Sequence, residues 1–241
     1  MKLSNVKFKY PNNDKIILKA VNLELIAGKS YALIGPTGEG KTTLAMLMAG
    51  LIDPIEGVIE YKGTDIKDIN SSTLSAEVGY ILQDPYLFKG TVLDNIIYGN
   101  PKYMNNYIFD PYSSTIEFYE TPIDNSHIES NLLNELKDNG LFNLLDKFPE
   151  GLMTKVDNSA ENISLGQKQI INFLRVILRK PKILILDEAT ANLDTVTEQI
   201  LQTILDRLPI DTTKVIIAHR LNTIKDVDYK YQVVGGQVTL I

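Results

Sequence analysis

The run Gly35-Pro36-Thr37-Gly38-Glu39-Gly40-Lys41-Thr42 constrains this chain more than any other feature. It satisfies G-x-x-x-x-G-K-[ST], and its flanks fit: Tyr31-Ala32-Leu33-Ile34 reads as a short buried strand, and Thr43 to Ala49 as a strong helix former. A strand, a glycine-rich turn and a helix in that order point to an α/β fold built around a phosphate loop. Gly35, Gly38 and Gly40 allow backbone conformations closed to other residues. They turn successive N–H groups toward a phosphate chain at the positive end of a helix dipole. Lys41 is placed to reach β- and γ-phosphates, and the Thr42 hydroxyl to ligate Mg²⁺. The competing reading is a glycine-rich turn with no ligand, which leaves the flanking strand and helix unexplained.

With 241 residues the chain can bury a substantial core, as one α/β domain or as a core with an inserted lobe. The apolar stretches near 44–52 and 170–178 are too short or too interrupted to span a bilayer. Residues 1–10 alternate apolar with Lys and Asn and lack the apolar core of a secretory signal. The absence of cysteine excludes disulfides and thiolate metal sites and fits a cytosolic protein. A net charge of −6 with no basic tract argues against recognition of a nucleic-acid backbone, so no nucleic-acid partner is expected.

Val6, Phe8 and Tyr10 alternate with Lys7 and Lys9, which predicts an exposed antiparallel strand. A turn at Pro11 to Asp14, a second alternating strand at Val21 to Leu25 and a third at Val58 to Tyr61 make this part β-rich. Val78 to Leu82 reads as a buried strand ending at Gln83-Asp84-Pro85. Helical character follows over 92–97, 128–136, 141–147 and 166–179, with Ile170, Leu174, Ile177 and Leu178 on one face of the last. Residues 100–125, rich in Asn, Tyr, Pro and Ser, read as a surface insertion. The continuous apolar run Ile183 to Leu186 suits a parallel strand covered on both faces. A helix at 197–207 and strands at 214–218, 229–234 and 237–240 complete the pattern.

Asp187-Glu188 closes that apolar run. A carboxylate at the C-terminal end of a central strand can hold Mg²⁺, and a second can orient an attacking water. Taken together, these residues resemble the nucleotide-binding domain of an exporter-type ABC transporter, over nearly the whole chain. Tyr10 matches the adenine-stacking aromatic, Gly35 to Thr42 the Walker A loop and Gln83 the Q-loop. Ile163-Ser164-Leu165-Gly166-Gln167 matches the signature, Ile183 to Asp187 Walker B with Glu188 following, Ala191-Asn192-Leu193-Asp194 the D-loop, and His219 the switch histidine. Phe88 to Ile96 and Pro149-Glu150-Gly151-Leu152 also resemble exporter-type segments.

The resemblance implies a P-loop NTPase (RecA-like) core with an N-terminal antiparallel β-subdomain and an inserted α-helical subdomain. Residues 1–82 and 182–241 would form the core and 83–181 the signature lobe. It implies ATP and Mg²⁺ as ligands, with Thr43 lining the nucleotide beside the loop and Gln83, Thr42 and Asp187 near the metal. Glu188 would be general base, His219 the γ-phosphate partner, and Gln83 a hinge to the helical lobe. Tyr10 would offer a π-face to the purine, against the ordinary alternative of an edge-strand tyrosine. In this family Ser164, Gly166 and Gln167 serve the ATP of a second nucleotide-binding domain, so catalysis implies a head-to-tail pair. The pair would work at the cytoplasmic face of a membrane, with transmembrane helices that this chain does not contain.

Several positions depart from the family pattern. Leu165 replaces the first glycine of the usual Leu-Ser-Gly-Gly-Gln, and Ile170 stands where arginine is common. Asp157 to Ala160 departs from Gly-Glu-x-Gly, and Ala191-Asn192 replaces Ser-Ala. A side chain where backbone must approach phosphate weakens that contact, which suggests one half of an asymmetric or heterodimeric pair; drift tolerated in a homodimer is the alternative. A soluble ABC ATPase acting on nucleic acid or ribosomes is a competing function, but 100–125 carries neither heptads nor a basic run. A P-loop small-molecule kinase would leave the signature and His219 unexplained.

Overall fold

A computed structural model of the chain describes residues 1–11, 13–104, 125–188, 195–206, 208–217 and 226–241. In chain order its elements begin with β1 (Lys2–Phe8), β2 (Leu18–Glu24), β3 (Ser30–Ile34), α1 (Lys41–Met48), β4 (Glu56–Tyr61), β5 (Thr64–Asp65), α2 (Ser71–Glu77) and β6 (Val78–Ile81). Next come β7 (Gly90–Thr91), α3 (Val92–Ile97), α4 (Pro101–Met104), α5 (Asn125–Asp138), β8 (Lys155–Val156) and α6 (Leu165–Ile177). The chain closes with β9 (Ile183–Asp187), α7 (Thr195–Asp206), β10 (Thr213–Ile217), β11 (Tyr229–Val234) and β12 (Gln237–Leu240). Two compact units result: one is Met1–Gln83, Lys180–Ala189 and Pro209–Ile241, the other Asp84–Arg179 and Thr190–Leu208.

The first unit holds two sheets. The larger has strand order β12-β11-β3-β10-β9-β6, parallel except for the β11–β12 hairpin. Continuous apolar runs such as Ile183 to Leu186 suit strands with both faces covered, and all four side chains are buried. The register sets Leu33, Ile217 and Asp187 level across β3, β10 and β9, so these strands end together at one carboxyl edge. Ile183 and Ile185 pack in the same cluster as Leu44, Leu47 and Met48 of α1. Asp187, two residues beyond Ile185, therefore faces the α1 side.

The smaller sheet, β2-β1-β4-β5, is antiparallel. Here the expectation of an exposed strand with Tyr10 in its alternation is corrected. β1 lies between β2 and β4, starts at Lys2 and ends at Phe8, with Leu3, Val6 and Phe8 all buried. The irregular spacing has a cause: the pairing shifts between Leu3 and Val6, around Asn5 at φ 51°, a bulge that resets which face the next residues occupy. Tyr10 lies beyond the strand. Helix α2 was not anticipated, since only Leu74 among its residues is buried and no apolar period shows. Its start is marked instead by Asn70, whose side chain accepts from the Ser72 N–H.

The second unit is mainly helical. Thr91 and Asp94 form a capping box that starts α3, and Ser164 and Gln167 form another that starts α6. The single-face reading of α6 is too narrow: Ile171, Phe173 and Val176 are buried along with Ile170, Leu174 and Ile177, because α3 and α7 both pack on this helix. The helical character expected over 141–147 takes the form of a 3₁₀ helix at Phe142–Lys147. Of the 100–125 insertion, 105–124 lie outside the described residues.

Candidate nucleotide site

The phosphate loop is shaped by what its glycines touch. Gly35 has φ 150°, and a Cβ there would sit 2.2 Å from the Val233 carbonyl oxygen of β11. Gly38 has φ 83° and nothing within 4 Å of such an atom. One glycine is thus required by backbone packed against backbone, the other by a left-handed turn open on one side. Glu39 accepts from the Gly235 N–H in the β11–β12 turn at 2.5 Å, which ties the loop to that hairpin. Pro36 and Thr37 are exposed.

Lys41 is buried, and its Nζ donates to the Gly35 and Pro36 carbonyl oxygens at 2.8 and 2.9 Å. Among the described residues these acceptors take two of the three ammonium hydrogens, so the charge lies across the loop with one donor left over. Thr42, exposed in the first turn of α1, donates from Oγ1 to Asp187 Oδ1 at 3.1 Å. The other carboxylate oxygen, Oδ2, accepts from the Tyr80 hydroxyl at 2.8 Å.

Burial pushes the Asp187 carboxyl above the usual carboxylate range and outweighs the hydrogen bonds from Tyr80 and Thr42 and the charge of Lys41, which act the other way. Burial also raises the Tyr80 hydroxyl, which the hydrogen bond to Asp187 pushes further in the same direction. Glu188 follows with φ 49°, in the left-handed region, and its N–H donates to the Ile217 carbonyl at 3.0 Å. A bulky residue held there carries roughly 1–3 kcal/mol of backbone strain, a cost met at sites where a side chain must be aimed.

Tyr10 sits beside the start of α1: its hydroxyl lies 3.0 Å from Thr43 Oγ1, and its ring meets Phe8 edge-on at 4.9 Å. Gln83 is exposed just past β6, the last residue of the first unit before Asp84 opens the second. In the second unit Ser164 Oγ accepts from the Gln167 N–H at 3.3 Å, Gln167 Nε2 donates to the Lys147 carbonyl, and Gly166 lies in the first turn of α6. Leu165 leaves 40 % of its surface in solvent at that helix start. Asp194 and His219 lie outside the described residues. Reasoning from sequence missed Tyr80, although a tyrosine in a buried strand needs a partner for its hydroxyl.

A family model described as "ABC transporter" matches residues 18–191, which takes in the loop, Gln83, the α6 start and Asp187. The chain belongs to the ABC transporter family. This ABC chain is 36 % identical over 227 residues to the "Sophorolipid transporter" of Starmerella bombicola, covering 94 % of itself and 16 % of that protein. It is 37 % identical over 234 residues to the "Uncharacterized ABC transporter ATP-binding protein YfiC" of Bacillus subtilis, covering 97 % of itself and 35 % of that relative. A solved structure, "Structure of a bacterial Atm1-family ABC exporter with ATP bound", is similar at TM-score 0.78 and 31 % identity, over 99 % of this chain and 38 % of the other. The P-loop α/β fold expected from the sequence is thereby shown. The chain spans between about a sixth and a third of the length of these two curated relatives.

Proposed function

We propose that this chain binds and hydrolyses ATP and that closure around ATP powers a membrane exporter. The observation that carries the reading is the meeting of Thr42 and Asp187. They are 145 residues apart in sequence, come from α1 and β9, and stand at a shared strand edge beside an open glycine turn. Relatives described as transporters support the cargo-moving context. The donor set fits a magnesium ion, since a hydroxyl and a carboxylate are hard oxygen donors. Among the described residues no group of three or more His, Cys, Asp or Glu could hold a metal. The residues therefore fit an ion whose remaining ligands are phosphate oxygens and water. When bound, that ion neutralises charge on the β- and γ-phosphates.

The chain's own residues would divide the work. The loop from Gly35 to Thr43 cradles phosphates with its backbone N–H groups, Pro36 having none, and Lys41 turns its ammonium from the loop carbonyls to the β- and γ-phosphates. Tyr10 stacks on the base, Gln83 senses the metal, Glu188 takes the proton of the attacking water, and His219 holds the γ-phosphate. Ser164, Gly166, Gln167 and Asp194 serve ATP across a head-to-tail dimer with a second nucleotide-binding domain. The capped start of α6 supports that role: Ser164 Oγ accepts from Gln167, which leaves its own hydrogen to donate to an anion. The exposed Leu165 supports an asymmetric pair, because an isobutyl group stands where a phosphate would approach backbone. Among the described residues no helix is long and apolar enough to cross a membrane, and we assign membrane spans to separate segments docked at the cytoplasmic face. Calorimetry with Mg·ATP tests the reading: heat of binding is expected for the chain. In the assembled exporter Glu188→Gln should retain ATP while turnover falls at least a hundredfold; full turnover would refute the assignment of Glu188.

A further inference from the structure

The catalytic edge contains a side chain for which the proposed function has no role. Tyr80 lies on β6, paired in register with Ile185 of β9. Side chains alternate along a strand, so Ile185 and Asp187 share a face, and Tyr80 lies on it opposite Ile185. Asp187 is one diagonal step further along the sheet, within reach of a long aromatic side chain. The Tyr80 hydroxyl spans that step and donates to Asp187 Oδ2 at 2.8 Å, while Thr42 holds Oδ1 at 3.1 Å. Each carboxylate oxygen thus has its own donor, from a different element. The carboxylate torsion of aspartate is broad and two-fold when unsupported, so a donor on each oxygen selects one orientation. The tyrosine ring alone would fill this space, and among the described residues the hydrogen-bond partner of its hydroxyl is Asp187.

We propose that Tyr80 is a positioning residue for the nucleotide-bound metal: its hydroxyl pins one oxygen of Asp187 so that the other stays with Thr42, where Mg²⁺ would enter with ATP. The inference rests on the Mg·ATP reading above. Partners that orient a metal-associated carboxylate are worth about 10–100-fold in metal affinity. Loss of the hydroxyl is therefore expected to weaken metal·nucleotide binding about tenfold and leave metal-free nucleotide binding unchanged, because Lys41 and the loop are untouched.

The test is Tyr80→Phe in the 241-residue chain, with ATP affinity measured by calorimetry in excess EDTA and with Mn²⁺, and bound Mn²⁺ counted by electron paramagnetic resonance. The expected result is an unchanged affinity in EDTA, a Mn²⁺·ATP affinity about tenfold weaker and an altered Mn²⁺ spectrum. Val78→Ala, which removes buried surface from the same face of β6, is the packing control and should leave the ratio of the two affinities as in the parent. Equal loss in both conditions for Tyr80→Phe, or no loss in either, overturns the proposal. If the parent chain itself shows no Mn²⁺·ATP binding, it is the nucleotide reading that fails, an outcome distinct from a parent that binds and a variant that matches it.

Discussion

Gly35 and Gly38 both have positive φ, yet alanine at the two positions should have different consequences. At Gly35 the new methyl would meet the Val233 oxygen at 2.2 Å and the Val233 carbonyl carbon at 3.2 Å, so about 1 Å of separation must be found. Val233 cannot supply it cheaply. It is fully buried, pairs with Val238 of β12, and follows Gln232, which pairs with Ile34 of β3. Overpacking of this kind costs about 1–3 kcal/mol, and weakening one or two ladder hydrogen bonds adds about 1 kcal/mol each, which gives about 2–5 kcal/mol in all. At Gly38 nothing lies within 4 Å, so only the left-handed backbone is penalised, by about 1–2 kcal/mol. Urea unfolding followed by circular dichroism should therefore rank Gly35→Ala well below Gly38→Ala in midpoint. Calorimetry should show the reverse asymmetry in cause: Gly38→Ala remains folded but loses about tenfold in Mg·ATP affinity, because its methyl enters the open side of the loop. Equal destabilisation by the two substitutions, or a neutral Gly35→Ala, would refute the reasoning.

Other outcomes follow from the same geometry. Because burial raises the folded-state pKa of Asp187 above its unfolded value, its contribution to stability is fully present below the ordinary aspartate pKa and lost as pH rises through the raised one. Asp187→Asn, uncharged throughout, should raise the melting temperature of the nucleotide-free chain at pH 7 to 8 and abolish its stabilisation by Mg·ATP; scanning calorimetry at several pH values checks both signs. Tyr10→Ala should weaken ATP binding by about 1–3 kcal/mol, whereas Tyr10→Phe, which loses only the contact to Thr43, should bind nearly as the parent does; equal losses would argue against stacking. Leu165→Gly should raise ATPase activity of the assembled dimer severalfold, measured by phosphate release, and an unchanged rate would speak for tolerated drift.

The phosphate loop was legible because its elements are local: β3, the loop and α1 are contiguous, and each carries its own pattern. The strand order was not legible, since long crossovers decide which parallel strand lies beside which, and nothing in Ser30 to Ile34 says that β10 and β11 flank it. The alternation Val6, Phe8, Tyr10 looks regular in the sequence and places Tyr10 in a strand that in the structure ends at Phe8. The bulge at Asn5 shows that the period belongs to the pairing and is interrupted within it. Asp187 was found from its position after an apolar run, but Tyr80 became visible only once β6 and β9 were set in register, because a diagonal contact has no signature in either strand alone. The Glu39 contact with Gly235 was hidden for the same reason, the partners being 196 positions apart.

The neighbours of β3 have a temporal consequence. Both arrive late: β10 begins at Thr213 and β11 at Tyr229, about 180 and 195 residues after the end of the strand they enclose. On the ribosome the strand leading into the phosphate loop must wait unpartnered until β10 emerges, while the helices of Asp84–Arg179 already have their local contacts. Parallel sheets closed by such distant segments assemble slowly and expose apolar edges meanwhile. The phosphate loop thus acquires its shape only as β10 and β11 emerge, and a product shortened before β10 would leave the loop without the sheet that holds it.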